Sequence, residues 1–314
     1  MISPVLAQGL PGERPLELLV LLGAMALAPM ALVTLTSFLK VVVVLSVLRS
    51  ALGAPQVPPN AAVTGLALLV TLLVMQPVAE ACWTRWQDGP APRGPEETIA
   101  AASRAAEPLR VFLARFATPA DRRAFSDLAA RARGSAPAPA AEQGFGVLAP
   151  AFVVSELRRA FTIGFLVFLP FLVVDLAVAN VLLSLGLTQL SPTAVALPFK
   201  LLLLVAVDGF GFSPAAWPPA ISAEGGVDPT VLAAGREALL VALTVSAPPL
   251  AAALLAGLVS GALQAATQIQ DHSLGAVPRL VAVLAAVGLA APGVAARVAR
   301  FGQACLEAAL RVAQ

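Results

Sequence analysis

The chain has 314 residues, of which 59% are hydrophobic and 12% are charged, and its formal net charge is +2. Soluble domains carry about 45–50% apolar and about 25% charged residues, so this composition argues against a soluble protein and favours a membrane protein. No basic cluster of the kind that binds phosphates is present, which argues against a nucleic-acid partner.

Long apolar runs are the main feature of the sequence, and they cover residues 16–39, 61–79, 161–187, 238–263 and 282–296. The first contains one charge, Glu17, and the third is interrupted only by Asp175. About 20 apolar residues cross the hydrocarbon core as a helix. We therefore predict an all-α membrane protein with four membrane-length helices and a shorter fifth. Residues 1–15 lack a basic segment before the first run, so we expect that run to be retained as a helix.

Residues 16–81 form the first apolar zone, which we interpret as a hairpin of helices. Its two helices are joined by a loop, residues 53–60, which contains three prolines. Proline cannot continue a helix because it lacks the backbone N–H and its ring clashes with the preceding turn.

Residues 82–147 are polar by comparison, since they hold 16 of the 38 charged side chains of the chain. Within this zone an apolar stripe at helical spacing consists of Leu109, Phe112, Leu113 and Phe116. Thr118 followed by Pro119 is typical of a helix start, with threonine as the N-cap. We predict a small helical extramembrane domain here, and the alanine- and proline-rich residues 134–140 as a linker.

The remainder of the chain is divided into a second apolar hairpin, residues 148–208, a connector, residues 211–229, and a final apolar hairpin, residues 230–314. Within the second hairpin, residues 194–207 are too short to span a membrane and contain Pro198 and Lys200, so we expect a broken or half-inserted helix. The final hairpin is expected to turn within residues 264–278.

The sequence contains none of the patterns that catalysis or cofactor binding requires. His272 is the single histidine and has no cysteine or carboxylate constellation around it, and neither a GxxxxGK[ST] loop nor a GxSxG elbow occurs. Cys82 and Cys305 are far apart and lack metal-ligand spacing. We therefore expect no enzyme activity, no metal and no cofactor.

Charged residues inside apolar runs are costly unless they are paired or hydrated, at roughly 2.5–3.5 kcal/mol each on insertion scales. The candidates are Lys40, Asp175, Lys200 and Asp208. In one interpretation Asp175 is a proton or cation site of a transporter. In the other these residues form ion pairs that fix the register of the helices. We predict that Lys200 pairs with Glu156 across a subunit contact.

A polar strip lies near the tip of the final hairpin. Its members are Gln264, Thr267, Gln268, Gln270 and Asp271. Four of them recur at intervals of three and four residues, so they share one helical face. The strip is either a pore lining or docking surface for a partner, or simply a hydrated turn.

Several motifs in order resemble the FliP/SctR (YscR) family of type III export proteins. They are LTSFLKVVVVLSVLRSALG at 35–53, QVPPN at 56–60, PAFVVSELRRAF at 150–161, PFLVVDLAVAN at 170–180 and LPFKL at 197–201. The resemblance covers nearly all of residues 16–210. The tail is similar to a second family, FliQ/SctS (YscS), through SAPPL at 246–250, QAATQIQDHSL at 264–274 and VPRL at 277–280.

This resemblance implies a natural fusion, with a FliP/SctR-like part in residues 1–210 and a FliQ/SctS-like part in residues 230–314. It implies a structural subunit of the type III secretion export gate, which conducts unfolded proteins across the bacterial inner membrane. The implied assembly is helical or ring-like and contains several copies of this chain with FliR/SctT-like and FlhB/SctU-like subunits. The implied location is multi-pass, in contact with membrane lipid and raised partly into the periplasm.

The family usually places methionines before the turn that follows residue 190, where they are thought to seal the conduit. Here Leu187, Thr188 and Gln189 stand in that place, and the four methionines lie elsewhere. Leu187 or Leu190 is therefore the candidate seal. The motifs fit both flagellar and injectisome systems, and the SAPP and QIQD strings favour an injectisome.

Overall fold

The computed structural model describes residues 15–53, 58–90, 94–134, 142–187, 189–206, 229–267 and 272–313. Its helices are α1 Pro15–Thr34, α2 Phe38–Ala51, α3 Asn60–Gln87, α4 Pro95–Ala105, α5 Glu107–Phe116, α6 Pro119–Arg133, α7 Phe145–Leu185, α8 Pro192–Ala206, α9 Pro229–Thr267 and α10 His272–Ala313. No strand occurs among the residues described. The predicted all-α class is confirmed.

Four helices are long and apolar enough to cross a membrane, and they are α3, α7, α9 and α10. The broken pair α1 and α2 gives a fifth span if its two helices are counted as one. Helix α8 is apolar but has 15 residues, about 22 Å of helix, which is too short to cross about 30 Å of hydrocarbon. The chain is a multi-pass membrane protein.

The first apolar run is not one continuous helix, because α1 ends at Thr34 and α2 begins at Phe38. Thr34 and Thr36 both donate their hydroxyls to backbone carbonyls one turn earlier. Thr36 Oγ1 also accepts from the Phe38 amide at 3.3 Å. Threonine side chains that bond the local backbone compete with the helical pattern. Apolar composition alone did not reveal this break.

The chain divides into two compact units, whose limits fall inside α2, α3 and α7. The first unit comprises residues 1–42 and 64–157 and contains the extramembrane helices α4, α5 and α6. Leu113 and Phe116 of the predicted α5 stripe are buried there. The Phe112 ring lies 4.7 Å from that of Phe116 and 5.7 Å from that of Phe152, measured between centroids.

Helix α6 begins where the sequence predicted. Thr118 is its N-cap, Pro119 is its first residue, and the Thr118 hydroxyl oxygen accepts from the Asp121 amide at 3.2 Å. The helix ends at Gly134, whose φ of 65° is left-handed and therefore suits glycine.

The second unit comprises residues 43–63 and 158–314. Its core joins residues of α7 and α8 with residues of α9 and α10, including Phe171, Leu204, Val245 and Phe301. Helices α9 and α10 pack along each other as the expected hairpin. Helix α9 continues to Thr267 and α10 starts at His272, and both positions lie within the range 264–278 expected for the turn.

Candidate functional site: two buried lysine–carboxylate pairs

The first pair lies in the unit of residues 1–42 and 64–157. Lys40 Nζ on α2 lies 3.0 Å from Glu156 Oε2 on α7, and the two side chains are 7% and 2% exposed. The ammonium group also lies 5.7 Å from the centroid of the Phe116 ring, on its face. The carboxylate and the aromatic face thus both lie beside the ammonium group. This arrangement compensates for the cost of burying the ammonium group.

The second pair lies in the other unit. Lys200 Nζ on α8 donates to Asp175 Oδ2 on α7 at 2.7 Å and to the carbonyl oxygen of Ala51 at 2.8 Å. Ala51 ends α2, and helix C-termini carry unpaired carbonyls and a partial negative charge. Lys200 therefore holds α8, α7 and the end of α2 together. Its side chain is 2% exposed.

Gly53 lies beside this ammonium group. It follows the end of α2 with φ of +77°, and a Cβ there would lie 3.4 Å from Lys200 Nζ. The left-handed φ is costly for other residues. Glycine at position 53 is therefore favoured by the backbone turn.

The predicted pairing of Lys200 with Glu156 is wrong. Glu156 is paired with Lys40, and Lys200 is paired with Asp175. Each contact forms inside one chain and inside one unit. The sequence allows several pairings between these lysines and carboxylates. The packing of the folded chain brings together Lys40 with Glu156 and Lys200 with Asp175.

A third buried polar cluster was missed by the sequence argument. Asp121 Oδ2 accepts from the hydroxyls of Thr118 and Ser155, each at 2.7 Å, and Ser155 Oγ accepts from the Thr118 amide at 2.9 Å. These contacts bind the start of α6 to α7. Ser155 precedes Glu156, so consecutive residues of α7 contact the extramembrane helices and α2. The sequence did offer one indication of this cluster, because Ser155 lies beside Glu156, a charged residue next to an apolar run.

Asp175 is less buried than Glu156, the carboxylate of the first pair. Its side chain is 25% exposed, whereas that of Glu156 is 2% exposed. Its second oxygen, Oδ1, is buried and has no hydrogen-bond partner among the described residues. A buried carboxylate oxygen without a donor is unfavourable, and such groups often mark a functional position.

The remaining candidates are exposed or lie outside the described residues. Leu187 and Leu190 follow α7 and are 41% and 48% exposed. Gln264 is half-buried and Thr267 is exposed near the end of α9. Four candidates lie outside the described part of the chain, and they are Asp208, Gln268, Gln270 and Asp271.

Outside the membrane-spanning helices, α5 carries a half-buried ion pair. Arg110 Nη2 lies 2.7 Å from Glu107 Oε1, one turn apart. This hydrogen bond lowers the pKa of the Glu107 carboxyl and raises the pKa of the Arg110 guanidinium. Both groups therefore stay charged at neutral pH. Within the described ranges no three His, Cys, Asp or Glu side chains come together as a metal site.

Comparison with known proteins identifies both parts of the chain. Residues 21–213 match the FliP family, and residues 230–303 match the bacterial export proteins, family 3. The two matches follow each other without overlap. Together they leave out only the ends of the chain and residues 214–229.

Curated relatives agree with the first match. A flagellar biosynthetic protein FliP from Cereibacter sphaeroides is 42% identical over 63% of this chain and 64% of its own length. A probable translocation protein, y4yL, from Sinorhizobium fredii is 40% identical over 62% of this chain and 89% of its own length. The virulence protein YscR from Salmonella typhimurium is 39% identical over 63% of this chain and 93% of its own length. The chain therefore belongs to the FliP family and carries a family 3 export segment behind its FliP-like part.

Proposed function

We propose that the chain is a structural subunit of the type III secretion export gate and forms part of the conduit for unfolded proteins. The observation that carries this proposal is the presence of two export-protein families in one multi-pass membrane chain. Flagellar, translocation and virulence proteins all occur among the relatives. The proposed parts are residues 1–210, the connector 211–229, and residues 230–314.

The two lysine–carboxylate pairs support a passive role. Lys40 and Lys200 are each buried by their own chain and each contacts a carboxylate of that chain. The charges therefore specify which helices pack together, and both lysines are engaged within the chain. The energy for export then comes from other components, and this subunit carries out no catalysis.

The exposed apolar surface supports assembly with other chains in a membrane. Helix α3 exposes Leu66, Leu69 and Leu73, which recur at three and four residues and share one face. Helices α9 and α10 also expose many leucines and valines. The proposed neighbours are lipid of the bacterial inner membrane, further copies of this chain, and FliR/SctT-like and FlhB/SctU-like subunits. The proposed position is raised partly into the periplasm.

Deletion of the chain tests this proposal. Secretion of the system's substrates should stop while their cytoplasmic pools remain intact, and the full-length gene supplied on a plasmid should restore secretion. Continued secretion in the deletion strain would overturn the proposal. Loss of motility with intact effector secretion would identify a flagellar system, and the reverse would identify the injectisome that we favour.

A second candidate function is ion coupling at Asp175. It is favoured by the partly exposed side chain and by the buried Oδ1 atom that lacks a hydrogen-bond partner in the described structure. A carboxylate inside a membrane helix is a candidate proton or cation site.

Asp175→Asn separates the two candidate functions, because asparagine keeps the size of the side chain and removes its charge. Under ion coupling, the variant assembles normally and export depends differently on the proton-motive force. Under the structural role, the variant assembles poorly and the remaining export keeps its normal dependence. Assembly is measured by co-purification of the partner subunits.

Leu187 and Leu190 are the proposed seal of the conduit, because both are exposed apolar side chains in the turn after α7. Replacing both by alanine should increase ion leakage through the purified complex in liposomes. Leu183→Ala, which removes another exposed leucine from α7, is the control and should not increase it. The strip from Gln264 to Asp271 is proposed as the docking or pore-lining surface.

A further inference from the structure

Helix α3 changes its chemistry along its length. Residues 61–79 contain no charged side chain, and this run of 19 residues spans about 28 Å as a helix. That length is close to the thickness of the hydrocarbon core of a bilayer, about 30 Å. Trp83 and Trp86 follow within two turns, and α3 ends at Gln87. The helix therefore consists of a membrane-length apolar part and a short end that carries two indoles.

The chain itself covers only a narrow stripe of α3. The buried residues of this stripe are Val63, Ala67 and Thr71, which are four residues apart. Trp83 and Trp86 are 63% and 40% exposed. Tryptophan has a large apolar ring and a polar N–H, so it is enriched where one end of the side chain meets an apolar phase and the other meets water. The apolar phase for these two indoles has to come from outside the described part of the chain.

One exposed face of α3 changes from apolar to amphipathic side chains. Leu69, Leu73, Gln76, Glu80 and Trp83 are exposed and recur at intervals of three and four residues, which places them on one face. Gln76 Nε2 donates to Glu80 Oε1 at 2.9 Å, so these two polar groups are paired where the apolar part ends. Leucines are thus followed by a hydrogen-bonded polar pair and then by tryptophan. This order matches the order from hydrocarbon to headgroups in a bilayer.

Two arginines lie at the tryptophan end of α3. Arg85 stands between the two indoles in the sequence and is exposed. Arg104 of α4 is also exposed, and a Cβ on Gly89 would lie 3.5 Å from its Nη2 atom. Gly89 follows the end of α3 by two residues, so this guanidinium group lies just beyond the helix. Arginine binds phosphate oxygens through charge-assisted hydrogen bonds, so both side chains are complementary to phospholipid headgroups.

Tryptophan is also enriched in protein interfaces, so a second copy of the chain is the alternative partner for this end of α3. The buried core of such an interface is depleted in charged residues. Glu80, Arg85 and Asp88 are all exposed and lie within about two turns of the indoles. A protein partner would remove these charges from water, which is costly, whereas the headgroup layer leaves them hydrated. The surrounding charges therefore favour lipid over a second copy.

We propose that Trp83 and Trp86 anchor the end of α3 in the phospholipid headgroup layer, with the hydrocarbon core beside residues 61–79. The surface of the bilayer then lies at residues 80–87, and α4, α5 and α6 follow on its aqueous side. The proposal rests on the multi-pass membrane character of the chain. It does not depend on the proposed export function, because its test is read without export.

Fluorescence quenching by brominated lipids tests this proposal in the full-length chain, purified and reconstituted into vesicles. Trp217→Phe removes the third tryptophan of the chain, which lies outside the described residues, and leaves α3 unaltered. The vesicles contain phosphatidylglycerol and a phosphatidylcholine whose acyl chains carry bromine either near the ester groups or near the methyl ends. We expect a larger loss of fluorescence with bromine near the ester groups, because the indoles lie close to the headgroups.

A matched control places a single indole in the apolar part of the same face. Leu69→Trp is combined with Trp83→Phe, Trp86→Phe and Trp217→Phe. Leu69 is 66% exposed and lies near the middle of residues 61–79, so the new indole lies near the centre of the bilayer. Its fluorescence should fall more with bromine near the methyl ends of the acyl chains.

Two results with the native indoles would overturn the proposal. Absence of quenching by either lipid, whatever the control gives, would show that a second copy or water surrounds the end of α3. Stronger quenching with bromine near the methyl ends would place the indoles in the hydrocarbon core. The measurement on the native indoles alters no residue of α3, so its outcome stands even if the control variant does not fold.

Discussion

Single side chains determine how this apolar chain holds its charges. Lys40 and Lys200 each lie inside an apolar segment, and each is matched by one carboxylate of another helix. Replacing a buried ion pair with apolar residues is often neutral, whereas removing one member leaves an unpaired buried charge. The two pairs therefore act chiefly by specifying which helices meet and in which register.

Exchange of the charges tests the first pair. Lys40→Glu and Glu156→Lys should each reduce accumulation of the assembled protein, because each places like charges together in a buried site. The double variant should recover part of the loss. As the matched comparison, Glu156→Lys combined with Lys200→Glu should show no recovery. Recovery in that second combination, and none in the first, would contradict the observed pairing.

Removal of Lys200 tests the second pair. Lys200→Met keeps the length of the side chain but leaves Asp175 without its cation and Ala51 without a donor for its carbonyl. We expect a loss of about 3 kcal/mol in the free energy of unfolding, measured by denaturant titration of the solubilised protein. The control is Arg311→Met at an exposed position, which should change the free energy of unfolding by less than about 0.5 kcal/mol.

At the scale of the helices, α2 and α7 approach each other closely at a glycine. A Cβ on Gly164 would lie 3.1–3.2 Å from three carbons of the Val47 side chain. A β-branched side chain has few alternative rotamers, so it cannot easily move aside. Any larger residue at position 164 would therefore have to displace Val47 by a few tenths of an ångström.

Gly164→Ala should lower the free energy of unfolding by about 1–3 kcal/mol through overpacking. Adding Val47→Ala makes room for the new methyl group, so the double variant should lose less stability than the sum of the two single variants. Gly146→Ala on the same helix meets no atom within 4 Å and should be neutral or slightly stabilising. Equal decreases in the free energy of unfolding for Gly146→Ala and Gly164→Ala would contradict this account.

The sequence predicted most helices because length, hydropathy and turn residues are local signals. The start of α6 at Thr118–Pro119 followed from capping chemistry. A short α8 was expected from its length, but the helix continues through Pro198, where a break was expected. The break between α1 and α2 was missed because residues 34–38 contain neither proline nor glycine to mark it.

The ion pairs could be predicted only in part. Burial of Lys40 and Lys200 followed from their apolar surroundings, but their partners depend on contacts between distant segments. A sequence signal did exist for Lys200, since Asp175 lies about as far before the turn at residues 186–191 as Lys200 lies after it. Residues at equal distances from a helical turn lie at the same level of the two helices. No comparable signal relates Lys40 to Glu156.

At the scale of the whole molecule, most of the apolar surface of the long helices is left to lipid or to other chains. Of the apolar windows of the four membrane-length helices, the chain itself buries between 11% and 39%. Monomeric soluble proteins rarely expose such continuous apolar surface. We therefore expect this chain to function as one copy among several in a membrane complex.

Electron microscopy of the detergent-solubilised complex, with its subunits identified by mass spectrometry, tests this central claim most directly. The account predicts an oligomer of several copies of the chain together with other export subunits, arranged around a closed axial channel. A stable lone monomer, purified without any export component, would contradict it.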